Sequence, residues 1–263
     1  MSSFLSLDAS TESCSVTLCC GSTFYQQSCH TPRAHAKTLL PMIEAVLADA
    51  GIKLGTLDFI ALTHGPGSFT GIRIALSVAQ GLAYGASLPL VGISSLRTLA
   101  ERCYLEENVP NGGVIIPALD ARMSEVYWAA YQYVDGSMRE LCTPAVSSPP
   151  DAIQAMEARL AALNVSNHDA SVSDTSADSV SRPIYGAGHG WGVDGMSAQI
   201  LDHCFTSYSP DATAVAKVVL GELAEITPTL ADRGIAVLEP LYLRNEIAWK
   251  KRTRIRPQSE RQS

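Results

Sequence analysis

The chain has 263 residues, 46% of them hydrophobic and 17% charged, with a formal net charge of −7. That length supports two compact lobes of roughly 100 to 150 residues each, and the acidic balance argues against broad nonspecific affinity for nucleic acid. The seven cysteines are an odd number with no Cys-x-x-Cys pair, so they read as reduced, mostly buried thiols of a cytoplasmic protein rather than a disulfide or zinc framework. The first residues lack a basic stretch and reach Asp8 too soon for a signal peptide.

Phe4 to Ala9, Cys14 to Cys20 and Phe24 to Cys29 are runs of β-formers separated by short polar turns, which predicts a three-stranded meander. Asp8 closes the first strand. Two readings stand side by side for it: a carboxylate beside a metal-bound phosphate, or a cap on the Ser10 turn. Ala36 to Ala50 is amphipathic, with Leu39, Leu40, Ile43, Val46 and Leu47 on one face and Gly51 as its stop. Pro41 falls in its early turns and predicts that the regular helix begins only there. His35 stands at the entrance. A metal pair would need a second histidine one turn on, and that residue is Leu39.

A short strand, Phe59 to Leu62, then delivers the chain to His64-Gly65-Pro66-Gly67-Ser68-Phe69-Thr70-Gly71-Ile72-Arg73. Such a turn either holds a phosphate on converging N–H groups or sets the exit angle of a helix. No Lys-Ser or Lys-Thr pair follows the glycines, which favours the mechanical role for Gly65, Pro66, Gly67 and Gly71. The helix from Phe69 or Thr70 to Gly85 carries Gly71, Ala75, Ala79 and Ala83 at a spacing of four, a ridge that permits close helix crossing. Being apolar or small nearly all round after Arg73, it is expected to be covered on two faces. Ile74 to Leu96 bears no formal charge, but its glycines, Gln80 and Pro89 mark a helix, a turn and a strand rather than a membrane span. A strand at Leu90 to Ile93 and a helix from Ser95 follow.

Asn111-Gly112-Gly113 marks a boundary between an N-terminal lobe, 1–110, and a C-terminal lobe, 111–263. Val114 to Leu119 is a strand ending in Asp120, followed by a turn at Ala121-Arg122-Met123 and a strand from Glu125 to Tyr133. The unit strand, Asp8-Ala9-Ser10, turn, strand thus recurs as strand, Asp120-Ala121-Arg122, turn, strand, which predicts two related lobes. Residues 164–182 are dominated by small polar types and read as a flexible insertion. Ile184 to Trp191 is a strand leading into a glycine turn, either an adenosine cradle or a structural turn. A last amphipathic helix spans Ala212 to Glu225. The tail, 249–263, carries Lys250, Lys251, Arg252, Arg254 and Arg256, a solvated run or a contact for tRNA phosphates or an acidic partner.

Four stretches together resemble the TsaB (YeaZ) family: Asp8-Ala9-Ser10-Thr11-Glu12, Gly65 to Gly71, Asp120 to Trp128, and Pro240-Leu241-Tyr242-Leu243-Arg244-Asn245. The resemblance runs from residue 4 to about 251. It implies a two-lobe α/β protein of the actin-like ATPase (ASKHA, ribonuclease H-like) fold with a duplicated half. It also implies a part in making N6-threonylcarbamoyladenosine (t6A) in tRNAs that read codons starting with A. The implied role is a noncatalytic pseudoenzyme that binds and supports the TsaD transferase as a heterodimer, with TsaE as a further partner, and that forms a homodimer when alone. tRNA meets such a subunit through the complex, and no membrane is involved.

The family's interface is built from two helices, here expected to present Leu39, Ile43, Val46, Ile72, Ala75, Ala79, Leu82 and Ala83. No catalytic or metal residue is expected. Asp8, Ser10, Asp120 and Arg122 are the positions nearest a nucleotide, and a weak or shared ATP or ADP site stays open. The alternative reading is an enzyme, an actin-like ATPase or a glycoprotease-like metal-dependent hydrolase using Asp8 and Asp120.

Overall fold

The computed structural model describes residues 2–162, 182–224, 226 and 238–244. The expected insertion, Arg182 apart, and the basic tail 249–263 lie outside the described residues. The chain first forms β1 (Ser3–Asp8), β2 (Cys14–Cys20), β3 (Thr23–Cys29), α1 (His35–Ala50), β4 (Phe59–Gly65), α2 (Phe69–Ala86), β5 (Leu90–Ser94) and α3 (Ser95–Glu107). It then forms β6 (Val114–Arg122), β7 (Glu125–Val134), β8 (Ser137–Ser147), α4 (Pro149–Ala162), β9 (Ile184–Ala187), β10 (His203–Phe205) and α5 (Ala212–Gly221).

The strands make two five-stranded sheets, ordered β3-β2-β1-β4-β5 and, read in the same sense, β8-β7-β6-β9-β10. In the first, β1 runs antiparallel to β2 and parallel to β4, which is parallel to β5. In the second, β6 runs antiparallel to β7 and parallel to β9, which is parallel to β10. The duplication expected from the two Asp turns is therefore complete at the level of topology. β1 is buried from Phe4 onward on both faces, as a central strand between two helical layers must be.

On one face of the first sheet lie α1 and α2, whose Leu39, Met42, Ile43, Val46, Ala75, Leu76, Ala79 and Ala83 share a core with Leu5, Leu7, Ile60 and Leu62. The other layers are exchanged between the halves. α5 places Val215, Ala216, Val218 and Val219 against Phe4, Phe59, Ala61 and Ile93 of the first sheet. α3 places Leu96, Leu99, Ala100 and Cys103 against Ile115, Leu119 and Ala129 of the second. Ion pairs Arg97–Glu222 at 3.1 Å and Arg102–Asp211 at 3.3 Å bind the two crossing helices to each other. Each sheet thus depends on a helix from the other half of the chain, which makes the halves cooperative.

Two expectations are corrected. α1 is regular from His35 and passes through Pro41 without a break; the proline ring points to solvent, and the single lost backbone bond is offset by burial of Leu39, Met42 and Ile43 around it. Leu40, expected on the apolar face, is 44% exposed. The uncharged stretch 74–96 resolves into the end of α2, a turn, β5 and the start of α3, and no helix among the described residues is long and apolar enough to cross a membrane.

The expected interface residues need the largest revision. Leu39, Ile43, Val46, Ile72, Ala75, Ala79 and Ala83 are all buried within the chain's own core, Ala75, Ala79 and Ala83 completely; only Leu82 is half-buried. The alanine ridge lets α2 approach its own sheet and α1 closely. The surface available to a partner is the opposite face, Ser77, Gly81, Tyr84 and Gly85, with half-buried Val78 and Leu82 at its border. The glycines repeat the spacing of four, and a Cβ on Gly81 or Gly85 would meet open space.

Candidate functional site at the cleft between the sheets

The glycine turn is built by close backbone approach. A Cβ on Gly67 would stand 2.3 Å from the Ser10 carbonyl oxygen, one on Gly71 2.0 Å from that of Ala9, and one on Gly65 2.6 Å from that of Leu241. Gly65 and Gly67 also hold φ of 127° and 152°, angles that side chains disfavour. Ser68 donates its N–H to the Ser10 carbonyl at 2.7 Å, and its hydroxyl accepts the Gly71 N–H at 3.2 Å to cap α2. The second half repeats the device. Gly188 and Gly190 press on the backbone of Ala118 and Leu119, where a Cβ would come within 2.3 Å and 2.5 Å of Ala118. Trp191 anchors that turn by donating its indole N–H to the Ile116 carbonyl at 2.9 Å.

Asp8 lies behind the first turn with no exposed surface. Its Oδ1 accepts from the Thr63 hydroxyl at 2.6 Å, the Ser10 hydroxyl at 2.7 Å and the Ser10 N–H at 3.3 Å, while Oδ2 is buried without a partner. Burial raises its pKa from 3.8 to about 6, against the lowering pull of the Thr63 and Ser10 bonds. These bonds are those of a turn cap. Its counterpart in the second half sits differently: Asp120 is half-buried and accepts the Arg122 N–H at 2.7 Å and the Arg122 guanidinium at 3.0 Å. Arg122, Met123 and Ser124 all have positive φ, consistent with a tight two-residue hairpin loop between β6 and β7.

His35 is 6% exposed. Its Nε2 lies 3.1 Å from the Thr11 carbonyl and 3.2 Å from that of Ser13, so it donates to the β1–β2 turn and pins α1 to it. Leu39, one turn on, is in the core. Among the described residues, no group of three or more His, Cys, Asp or Glu side chains is placed to hold a metal.

Between the two turns opens a cleft of about 1280 Å³. Ser10, Asp120 and Arg122 line it together with Arg33, Arg73, His189, Tyr242 and Arg244, which the sequence expectation did not include. Asp8 does not reach it. The Asp120 N–H donates to His189 Nδ1 at 3.1 Å, which fixes a neutral ring with its proton on Nε2; burial lowers this histidine's pKa and supports the same state. Across the mouth runs the segment 238–244. The Leu241 N–H donates to the His64 carbonyl at 2.8 Å, and Arg73 donates to the Tyr242 hydroxyl at 3.0 Å while lying 3.5 Å above the Phe69 ring. Arg244 crosses to the other half, where it donates to Glu125 and, at 3.3 Å, to the Ala121 carbonyl. The Pro240-Leu241-Tyr242-Leu243-Arg244 motif is thus a strap that ties α2 to the β6–β7 hairpin.

Two sheets of identical order, each with a glycine turn pressed against the end of its first strand and facing the other across a cleft, define a two-lobed α/β protein with the actin-like ATPase fold. A family model described as TsaD, tRNA N6-adenosine threonylcarbamoyltransferase, matches residues 22–252. Proteins named tRNA threonylcarbamoyladenosine biosynthesis protein TsaB from Haemophilus influenzae and Escherichia coli are 33% and 32% identical, each over 94% of this chain and over 95% and 96% of their own. The structure titled YeaZ from Pseudomonas aeruginosa is 35% identical with a TM-score of 0.72, covering 92% of this chain and 100% of that one. The chain belongs to the TsaB (YeaZ) family, within the wider group that the TsaD model describes.

Proposed function

We propose that this chain is a noncatalytic subunit for t6A modification of tRNA that binds and supports a TsaD transferase. The relatives' names supply the pathway. The observation that carries the docking role is the outer face of α2, where Ser77, Gly81 and Gly85 form a charge-free row beside Val78, Leu82 and Tyr84, the last 74% exposed. Glycine inside a helix costs roughly 0.5–1 kcal/mol relative to alanine, and a helix that carries two on its exposed side gains from them when another backbone comes close. α1 adds exposed Leu40 and Pro41 on the same side of the sheet. In the absence of TsaD this face pairs with a second copy. TsaE joins the TsaD-bound form, tRNA is met through the assembly, and the setting is the cytoplasm.

The noncatalytic part of the reading is supported by His35, whose ring is committed to two carbonyls of its own chain, and by Leu39 where a metal pair would need its second imidazole. Four arginines on the cleft wall, Arg33, Arg73, Arg122 and Arg244, against Glu12 and Asp120, support a weak affinity for ATP or ADP, alone or shared with a partner. The enzymatic alternative requires turnover of ATP with magnesium that disappears in Asp8→Asn. The docking claim is tested by titrating TsaD with Gly81→Arg: loss of binding with a melting temperature that does not fall is expected, and undiminished affinity would remove α2 from the interface.

A further inference from the structure

Outside the cleft, the structure places two thiols together. Cys14 opens β2 and Cys29 closes β3, and they are direct partners in the antiparallel register. Opposed residues of an antiparallel pair point to the same face with Cα atoms about 4.5–5.5 Å apart, inside the range a disulfide spans. Both sulfurs also share one neighbour, Thr38 in the first turns of α1. The Cys14 sulfur lies 3.4 Å from its hydroxyl, and both that hydroxyl and the Cys14 thiol act on the Cys29 sulfur to lower its pKa. The two differ in access: Cys14 is 2% exposed, whereas Cys29, on the edge strand, is partly open to solvent.

We infer that Cys14 and Cys29 form an oxidant-sensitive dithiol, which a hydroperoxide converts reversibly to a cross-strand disulfide beneath the start of α1. The order of events follows from the surroundings. Among the seven cysteines only Cys29 has its thiol pKa lowered, first by the Thr31 N–H that donates to its sulfur; burial raises the other six, Cys103 to about 12. The Cys29 thiolate attacks one peroxide oxygen and the O–O bond breaks. The leaving hydroxide takes a proton to become water, and Cys29 is left as a sulfenic acid. The Cys14 thiol then gives up its proton and attacks the Cys29 sulfur; the S–O bond breaks, a second water leaves, and the S–S bond forms. The peroxide is reduced by the two electrons the thiols lose. Burial makes Cys14 a poor first target but a well-placed resolving thiol, since it need only reach the residue opposite. Thiol reductants reverse the step, and in a reducing compartment the pair rests as free thiols, the state seen here.

The test uses the full chain, reduced and then exposed to hydrogen peroxide. It is blocked with an alkylating reagent and cleaved without reduction by chymotrypsin, which cuts after Phe24 and Tyr25 and separates Cys29 from Cys14. The expected result is loss of two hydrogens in the intact mass and a Cys29 peptide joined to that of Cys14, released by dithiothreitol. Cys14→Ser should abolish the joined species and leave Cys29 carrying oxygen, and Cys29→Ser should leave Cys14 reduced. Oxidation of Cys29 no faster than that of Cys103, or a Cys29 link that persists in Cys14→Ser, would overturn the inference. The wild-type mapping decides the matter even if a variant fails to fold.

Discussion

Leu241 lies directly over Gly65: its N–H donates to the neighbouring His64 carbonyl at 2.8 Å, and its own carbonyl oxygen occupies the space 2.6 Å from where a Gly65 Cβ would stand. Two segments 176 positions apart are therefore fitted to each other by the absence of one side chain. Gly65→Ala is expected to lift the strap and to cost about 1–3 kcal/mol, from the clash and from φ of 127°. Hydrogen exchange checks this, with faster exchange at Leu241 as the specific sign and no local change at β8, which the strap does not touch, as the control.

The two rows of α2 should respond oppositely. Ala79→Arg forces a charge into a fully buried site and is expected to destabilise the isolated chain by several kcal/mol, on the order of 3–5. Gly81→Ala, with open space around its Cβ, should stabilise it by roughly 0.5–1 kcal/mol. Denaturant unfolding of the two variants distinguishes the faces without any partner present.

How far the sequence carried the fold is clearest on that helix. Small residues at a spacing of four announce close packing, but they occur on two rows, and the outward row is Gly81 and Gly85 rather than the alanines expected to meet a partner. The distinction was available in composition: alanine is the best helix former and suits a core, whereas exposed glycine costs helix stability and needs a reason. The Asp8 and Asp120 turns disclosed the duplication because strand, turn and strand are adjacent in sequence. The exchange of α3 and α5 between the sheets was not legible, since nothing local says which sheet an amphipathic helix will cover. The cleft was half legible. Ser10, Asp120 and Arg122 lie beside recognisable turns, while Arg73, His189 and Arg244 come together only through contacts many tens of residues long. The Pro240 to Asn245 motif was visible as a motif, but not as a strap.

Asp8 predicts a pH dependence of stability. Its folded pKa, about 6, lies above the ordinary 3.8, so the folded chain binds the proton more tightly than the unfolded one. This contribution is fully present below pH 3.8 and is lost as the pH rises through 6. The full span is roughly 3 kcal/mol at about 1.4 kcal/mol per decade. Urea unfolding of the wild type and Asp8→Asn should therefore show the wild type losing stability relative to the variant as the pH is raised from about 4 to about 7. Parallel curves would mean that folding does not raise the Asp8 pKa.

His35 should behave as a structural pin. His35→Ala is expected to cost about 1–3 kcal/mol by stranding the buried carbonyl of Thr11 and the half-buried one of Ser13, with no metal lost, because its ring nitrogen is bonded to those carbonyls. Thermal unfolding with and without a chelator, together with metal analysis, checks both halves; a melting temperature that falls with chelator in the wild type only would speak for a metal.

The noncatalytic reading is tested most directly by reconstituting t6A formation on tRNA from TsaD, TsaE and a supply of threonylcarbamoyl-adenylate, with this chain omitted, present, or carrying Asp8→Asn or Gly81→Arg. Modification should fail without the chain and with Gly81→Arg, and proceed with Asp8→Asn once that variant is shown to be folded. Full modification without the chain, or its loss in folded Asp8→Asn while TsaD binding is retained, would contradict it.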